Sequence, residues 1–208
     1  NTTCVNNTAL GANSLDACTT GNNNTALGIN ALTTSTTGSQ NTAVGRAVLQ
    51  STTDATGNTA IGESALQANT TGDDNVAVGA NALDANTTAS NNTAVGKDAL
   101  GANTTAADNV AVGYKALLSN TTGSENTSVG SFSMNLNTTG LYNSAFGRLA
   151  LRLNTSGIQN TAVGYQALTA NTTASNNSAF GYNALVANTT GANNVGIGQF
   201  SLDANTTG

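Results

Sequence analysis

Few residues in this chain have side chains that could carry out chemistry. The only thiols are Cys4 and Cys18, which lie 14 residues apart near the N-terminal end. A disulfide between them would staple this end of the chain and would indicate an oxidising compartment. The alternative is two small unpaired residues, and the spacing alone leaves both interpretations open.

The remaining composition argues against catalysis. The chain has no His, which excludes Ser-His and Cys-His catalysis and His-based metal sites. Its ten acidic residues are scattered, and only Asp73 and Asp74 are adjacent. The glycines do not form a phosphate-binding loop with a Lys. We therefore expect neither an enzyme nor a cofactor.

Charge and hydropathy narrow the range of partners. With a net charge of −5 and only five basic residues, the chain lacks the cationic surface that neutralises a phosphate backbone. No apolar run approaches the roughly 18 residues of a membrane span. We expect no nucleic-acid partner and no membrane segment.

Asn-Thr-Thr and Asn-Thr-Ser triplets match the acceptor pattern for N-glycosylation. Sugars at these sites would coat one edge of the molecule. Alternatively, Asn and Thr simply form a corner of the backbone, and the sequence leaves both interpretations open. The triplets begin at Asn1, Asn69, Asn86, Asn103, Asn120, Asn137, Asn154, Asn171, Asn188 and Asn205.

An internal repeat positions all of these residues. An Asn-Thr-Ala-Val-Gly pentamer recurs with an unbroken period of 17 residues, so residues 1–208 form one continuous array. Residues 1–6 are a partial repeat, residues 7–193 are full repeats, and residues 194–208 are a truncated last repeat. The Asn that opens each pentamer is found at Asn7, Asn24, Asn41, Asn58, Asn75, Asn92, Asn109, Asn126, Asn143, Asn160, Asn177 and Asn194.

We number the repeat N-T-A-V-G-x-x-A-L-x-A-N-T-T-G-x-x as positions 1 to 17. Position 1 is always Asn, position 5 always Gly and position 13 always Thr, and position 4 is always large and apolar. Position 9 is Leu in every copy except Met134. A disordered low-complexity chain does not need such regular columns, so the pattern favours a folded array.

The repeat predicts an all-β fold, a parallel β-solenoid of twelve 17-residue coils. Positions 2 and 4 are expected to face the core from one short strand, with position 3 pointing the other way. Leu at position 9 and Ala at position 11 are expected to share the inner face of a second strand. The corners are expected at Gly 5 and at position 15. Two helices with their turns do not fit in 17 residues, which disfavours a helical solenoid.

Stacked repeats place identical residues above one another. The position-1 asparagines are therefore expected to form a structural ladder of amide hydrogen bonds. Position 3 is small in every copy and lies opposite position 4. We expect this small column to pack against a partner copy about a threefold axis or, in a monomer, against the chain's own second strand.

The repeat also resembles a known family. The pentamers that begin at Asn75, Asn109 and Asn194 resemble the S-V-A-I-G core of head repeats in trimeric autotransporter adhesins of the YadA type. The segment from Asn160 to Leu168 is similar to NTAVG-type arrays in bacterial surface fibre proteins and phage tail-fibre proteins. The resemblance implies a left-handed parallel β-roll, trimeric and exposed on a cell or virion. Typical adhesin coils are shorter than the repeat of this chain.

Taken together, these features predict a non-catalytic structural segment of an extracellular fibre, stalk or adhesin, at a cell surface or on a virion. Its expected partner is itself, as a homotrimer, end to end or both, with surface glycans or receptors as further candidates. The repeat begins at position 12 and stops at position 15 without caps, which predicts a longer array or ends that stack.

The alternative function is a ligand-binding solenoid. Ice or carbohydrate would bind to the Thr columns at positions 13 and 14, or to a surface stripe formed by Tyr114, Tyr165 and Tyr182.

Overall fold

A computed structural model describes residues 3–208 of the chain. The chain divides into two compact units, unit 1 up to Thr105 and unit 2 from Ala106 onward. Each unit is a stack of short strands. The strands are β1 (Thr8–Leu10), β2 (Thr25–Leu27), β3 (Thr42–Val44), β4 (Thr59–Ile61), β5 (Val76–Val78), β6 (Thr93–Val95), β7 (Val110–Val112), β8 (Thr127–Val129), β9 (Ser144–Phe146), β10 (Thr161–Val163), β11 (Ser178–Phe180) and β12 (Val195–Ile197).

Each strand covers positions 2 to 4 of one repeat. The order is β1 to β6 in unit 1 and β7 to β12 in unit 2, and within each unit strands of successive repeats are neighbours in the sheet. The pairing is parallel and in register, with Ala43 beside Ala60 in unit 1 and Ala145 beside Ala162 in unit 2. The prediction of a parallel β-solenoid with 17-residue coils is confirmed within each unit. We number the coils from coil 1, which begins at Asn7.

The rest of each coil consists of turns, so the prediction of a second strand over positions 9 to 11 is wrong. Positions 7 and 9 adopt left-handed backbone conformations, with φ of 59° at Asn30 and 52° at Leu32. A strand cannot continue through this region of backbone space. The N–H of Leu32 donates to the C=O of Val48 in the next coil (3.0 Å), and the N–H of Asn30 donates to Ala12 in the previous coil (3.0 Å). The turns are therefore hydrogen-bonded to the coils on both sides.

The core of each unit is thin and is built from small side chains. Ala94 at position 3 and Leu100 at position 9 are both fully buried, and their equivalents in the other inner coils are buried likewise. In coil 8, positions 3 and 8 are both Ser, and the hydroxyls of Ser128 and Ser133 hydrogen-bond to each other. The columns at positions 3 and 8 therefore face each other across the core.

This arrangement reverses the predicted direction of the strand. Position 3 points into the core, while positions 2 and 4 point outward, and Ile61 at position 4 is 40% exposed. The physical reason is space, because only an Ala-sized residue fits where the strand approaches the turn at positions 8 and 9 so closely. Strand alternation then places positions 2 and 4 outside. The small column is thus buried in its own chain and is unavailable to a partner copy.

Candidate functional site

The position-1 asparagines form a hydrogen-bonded ladder within each unit. In Asn143, which is fully buried, Nδ2 donates to Oδ1 of Asn126 (3.2 Å) and to the C=O of Gly157 (2.8 Å), the corner of the same coil. Its Oδ1 accepts hydrogen bonds from the backbone N–H (2.9 Å) and the Nδ2 (3.1 Å) of Asn160. Each amide thus links three successive coils and satisfies buried polar groups. The end members, Asn7 and Asn194, are only partly buried.

A second ladder runs through position 12, where sequence reasoning assigned none. In Asn137, Nδ2 donates to Oδ1 of Asn120 (2.9 Å) and to the C=O of Gly140 (3.1 Å), and its Oδ1 accepts from Nδ2 of Asn154 (2.8 Å). A signal was present in the sequence, because every repeat from Asn69 onward has Asn at this position. The same residues were interpreted as glycosylation candidates, which obscured their structural role.

The second ladder uses the nitrogen atoms to which a glycan would be attached. The side chains are fully buried at Asn69, Asn86, Asn103, Asn120, Asn137, Asn154, Asn171 and Asn188. A sugar on any of these Nδ2 atoms would break its hydrogen bonds and pull the side chain out of the core, so this fold has no room for one. Asn205 is half-buried, and Asn1 lies outside the described residues. The corner interpretation of the triplets accounts for the buried sites.

The two threonine columns have different environments. At position 13 the hydroxyl donates to the backbone of the next coil, as from Thr138 to the C=O of Thr155 (3.0 Å). At position 14 the side chains are exposed, and the hydroxyl of Thr139 has no hydrogen-bond partner within residues 3–208. Position 14 therefore forms the one exposed threonine column, which Asp54 and Ser156 interrupt.

The two thiols are brought together. Cys4 and Cys18 form a disulfide, with their Cα atoms 6.5 Å apart. Cys18 occupies position 12 of coil 1, where coils from Asn69 onward have the Asn of the second ladder, and Cys4 occupies position 15 of the preceding partial coil. The disulfide therefore holds the partial coil against coil 1 at a point where the amide ladder is missing.

The predicted tyrosine stripe forms two separate groups of rings. Tyr114 meets Phe132 edge to face, with 5.2 Å between ring centroids. Tyr165 stacks on Tyr182 with 5.3 Å between centroids, and the guanidinium of Arg148 lies 5.7 Å from the centre of the Tyr165 ring. These ring contacts and the cation–π contact stabilise the surface of unit 2. Tyr114 remains 41% exposed and Tyr182 46% exposed.

The outward side chains of positions 2 and 4 form what we call the strand face. Adjacent strands pair in register, so equivalent side chains lie side by side at about 4.8 Å, the spacing of neighbouring strands. Position 4 of this surface is apolar in every coil, whereas position 2 is Thr or Ser in nine coils and Val in three. Monomeric soluble proteins rarely leave a large contiguous apolar patch exposed. Position 4 of the strand face is occupied in unit 1 by Leu10, Leu27, Val44, Ile61, Val78 and Val95, and in unit 2 by Val112, Val129, Phe146, Val163, Phe180 and Ile197.

The strand face is the candidate functional site. Residues 3–208 enclose no pocket, and they contain no group of three His, Cys, Asp or Glu side chains placed to hold a metal ion. No helix of sufficient length and apolarity to cross a membrane occurs in the same range. Comparisons with protein-family models, curated proteins and solved structures gave no match.

Proposed function

We propose that this chain is a non-catalytic structural segment of an extracellular fibre, stalk or adhesin, whose copies associate through the strand face. The observation that carries the proposal is the apolar column at position 4, which is half-buried or exposed in every coil. A surface that only had to be soluble would carry polar side chains here, as the exposed column at position 14 does.

A copy of the same chain is the partner that best matches this face. A parallel copy presents the same column at the same spacing, so a single type of contact repeats along the stack. Burying one partly exposed Val, Leu or Ile side chain per coil contributes on the order of 1 kcal/mol, and successive coils add to it. The resemblance to trimeric head repeats favours three chains about a common axis.

Two further features support a fibre outside the cell. Protein disulfides persist mainly in oxidising compartments, and Cys4 and Cys18 are joined by one. Within each unit, the Asn and Thr ladders satisfy polar groups from one coil to the next. A stack built in this way gains length by adding repeats and needs no new kind of contact.

Light scattering coupled to size exclusion tests the proposal. The chain of 20.5 kDa is expected to assemble to about three times that mass. Substituting Val129→Lys and Val163→Lys places charges on the strand face and is expected to give a monomer with an unchanged circular dichroism spectrum. The matched control, Thr122→Lys with Ser156→Lys, places the same charges on the exposed position-14 column and is expected to assemble normally.

Two results would contradict the proposal. One is a wild-type chain that remains a 20.5 kDa monomer at micromolar concentration. The other is a strand-face variant that assembles as well as its control.

A second candidate function rests on the exposed position-14 column. Its threonines are exposed, and the hydroxyl of Thr139 has no hydrogen-bond partner within residues 3–208. We propose ice binding by this column as the alternative. Thermal hysteresis that is lost on substituting Thr139→Lys and Thr173→Lys would support it, and a wild-type chain without thermal hysteresis would exclude it.

A further inference from the structure

In two repeats, positions 2 and 4 of the strand face differ together from the other repeats, and the inference drawn from this pair rests on the proposed self-association. Position 2 is Thr or Val in ten coils, and it is Ser only at Ser144 and Ser178. Position 4 is aliphatic in ten coils, and it is Phe only at Phe146 and Phe180. The exceptions coincide, so that β9 and β11 read Ser-Ala-Phe and no other strand does.

Paired substitutions inside the core have a visible cause. In coil 8, Ser replaces Ala at two positions together because the hydroxyls of Ser128 and Ser133 are hydrogen-bonded to each other. On the strand face, by contrast, Phe146 remains 42% exposed and Phe180 40% exposed in the single chain. Here a larger residue at position 4 accompanies a smaller one at position 2.

Compensation of size has a physical meaning only where volume is limited. A surface that faces water has no volume to conserve, whereas packed interfaces and cores respond to a change of a single methyl group. The exchange of Thr for Ser beside each new phenyl ring therefore indicates that the strand face packs against a partner of fixed shape. The repeating pattern of the face identifies a second copy of this chain as that partner, as argued above.

A uniform array has a difficulty that this exchange resolves. When every coil presents the same residues, two parallel copies that slide by one coil recover nearly the same contacts. In unit 2, the Thr-Ala-Val strand that contains Val163 lies between the two Ser-Ala-Phe strands that contain Phe146 and Phe180. Beside each phenyl ring, Ser lacks the methyl group of Thr, and we call the space left by this methyl group the recess. A slip of one coil sets each ring against a strand whose β-branched Thr fills the recess.

We infer that Phe146 and Phe180, together with Ser144 and Ser178, fix the register in which copies of this chain pair. In register, the ring of one copy fits over the recess of another at the same level. These residues act as specificity determinants, because they penalise the wrong register more than they strengthen the right one.

Disulfide mapping measures the register directly. Chains with Val112→Cys and chains with Val129→Cys are refolded together, oxidised and analysed by peptide mass spectrometry. A disulfide between identical sites reports copies in register, and a disulfide between Cys at 112 and Cys at 129 reports a slip of one coil. The native disulfide of Cys4 with Cys18 is found in a separate peptide pair. The comparison uses the native background and a uniform background with Ser144→Thr, Phe146→Val, Ser178→Thr and Phe180→Val.

The mixed disulfide is expected to be rare in the native background and about tenfold more frequent in the uniform one, which corresponds to ~1.4 kcal/mol of register preference. Equal frequencies would overturn the inference about register while leaving the proposed association standing. Absence of intermolecular disulfides in both backgrounds, with a monomer in light scattering, would overturn the proposed function as well. The two failures are therefore distinguishable.

A double-mutant cycle in the native chain separates contacts between copies from contacts within one. Ser144→Thr alone fills the recess and is expected to weaken association about tenfold. Adding Phe146→Val recreates the Thr-Ala-Val strand of β10 and is expected to restore the affinity. The coupling free energy of the two substitutions is measured both for association and for unfolding of the monomer. If it is found only for unfolding, the two side chains pack only within one chain and the inference is wrong.

Discussion

Truncating Asn143 to Ala tests how much of the stability comes from the position-1 ladder. Its side chain is fully buried and takes part in four hydrogen bonds. Alanine leaves the buried N–H of Asn160 without its acceptor, which is worth about 1–3 kcal/mol. The C=O of Gly157 loses the hydrogen bond from Asn143 and keeps the one from Nδ2 of Asn154, so this loss costs only about 0.5–1.5 kcal/mol more. We expect a loss of about 2–4 kcal/mol in the free energy of unfolding.

The assay is urea denaturation followed by circular dichroism. Because parts of a repeat array can unfold separately, hydrogen exchange of the peptide that contains Asn160 supplies the local free energy of opening. Asn143→Asp retains an acceptor in the same place, removes both donors and buries a carboxylate. It is expected to destabilise the chain more at neutral pH than at acidic pH.

Thr139→Ala is the control, since this exposed hydroxyl has no partner among the described residues 3–208 and its removal is expected to change the stability by less than about 0.5 kcal/mol. If Asn143→Ala lowers the free energy of unfolding no more than the control does, the reasoning is refuted. The hydrogen bonds of the ladder would then be present without contributing to stability.

Four other substitutions probe the backbone and one half-buried carboxyl group. Gly181 has φ +138°, and Gly181→Ala would place a Cβ 2.5 Å from the carbonyl oxygen of Gly198. Gly198 has φ +114°, and the Cβ of Gly198→Ala would have no neighbouring atom within 4 Å. The second is expected to cost about 1–3 kcal/mol in urea denaturation through backbone strain alone, and the first distinctly more; equal losses would contradict a close approach of the coils. Tyr142→Asn is expected to stabilise by about 0.5–1 kcal/mol, because Tyr142 has φ 58° and Asn tolerates this conformation better; a lower urea midpoint would contradict this. Burial raises the pKa of Asp84 above its usual 3.8, so its ionised form opposes folding and its contribution to stability falls as the pH rises through that pKa. Asp84→Asn is therefore expected to raise the urea midpoint at pH 7, with the gain vanishing below pH 3.8, and a gain that is the same at both pH values would show that charge is not its cause.

The sequence was sufficient to predict the parallel solenoid and its 17-residue coil. In-register stacking follows from the identity of successive repeats, and the structure pairs Ala43 with Ala60 as that logic requires. The position-1 ladder also follows, because an invariant Asn in a stack lies above its own copy. The position-12 ladder was equally readable in principle from the run of Asn that begins at Asn69. The same residues match the glycosylation pattern, so the sequence leaves the structural and the glycosylation interpretations both open at this position.

The direction of the strand was decided only by the tertiary structure. Because successive side chains of a strand point to opposite faces, position 3 lies on the face opposite to positions 2 and 4. Hydrophobicity alone favours Val over Ala for the face that is buried in the core. The structure selects Ala94 for the core instead. Space at position 3 is tight, since a Cβ added at Gly196 would lie 3.0 Å from the hydroxyl oxygen of Ser201 and 3.1 Å from Cγ of Leu185. The left-handed conformation at position 9 is likewise invisible in the sequence, since Leu has no intrinsic preference for it. Burial of the side chain and hydrogen bonds to neighbouring coils hold it there, and both exist only once the coils have stacked.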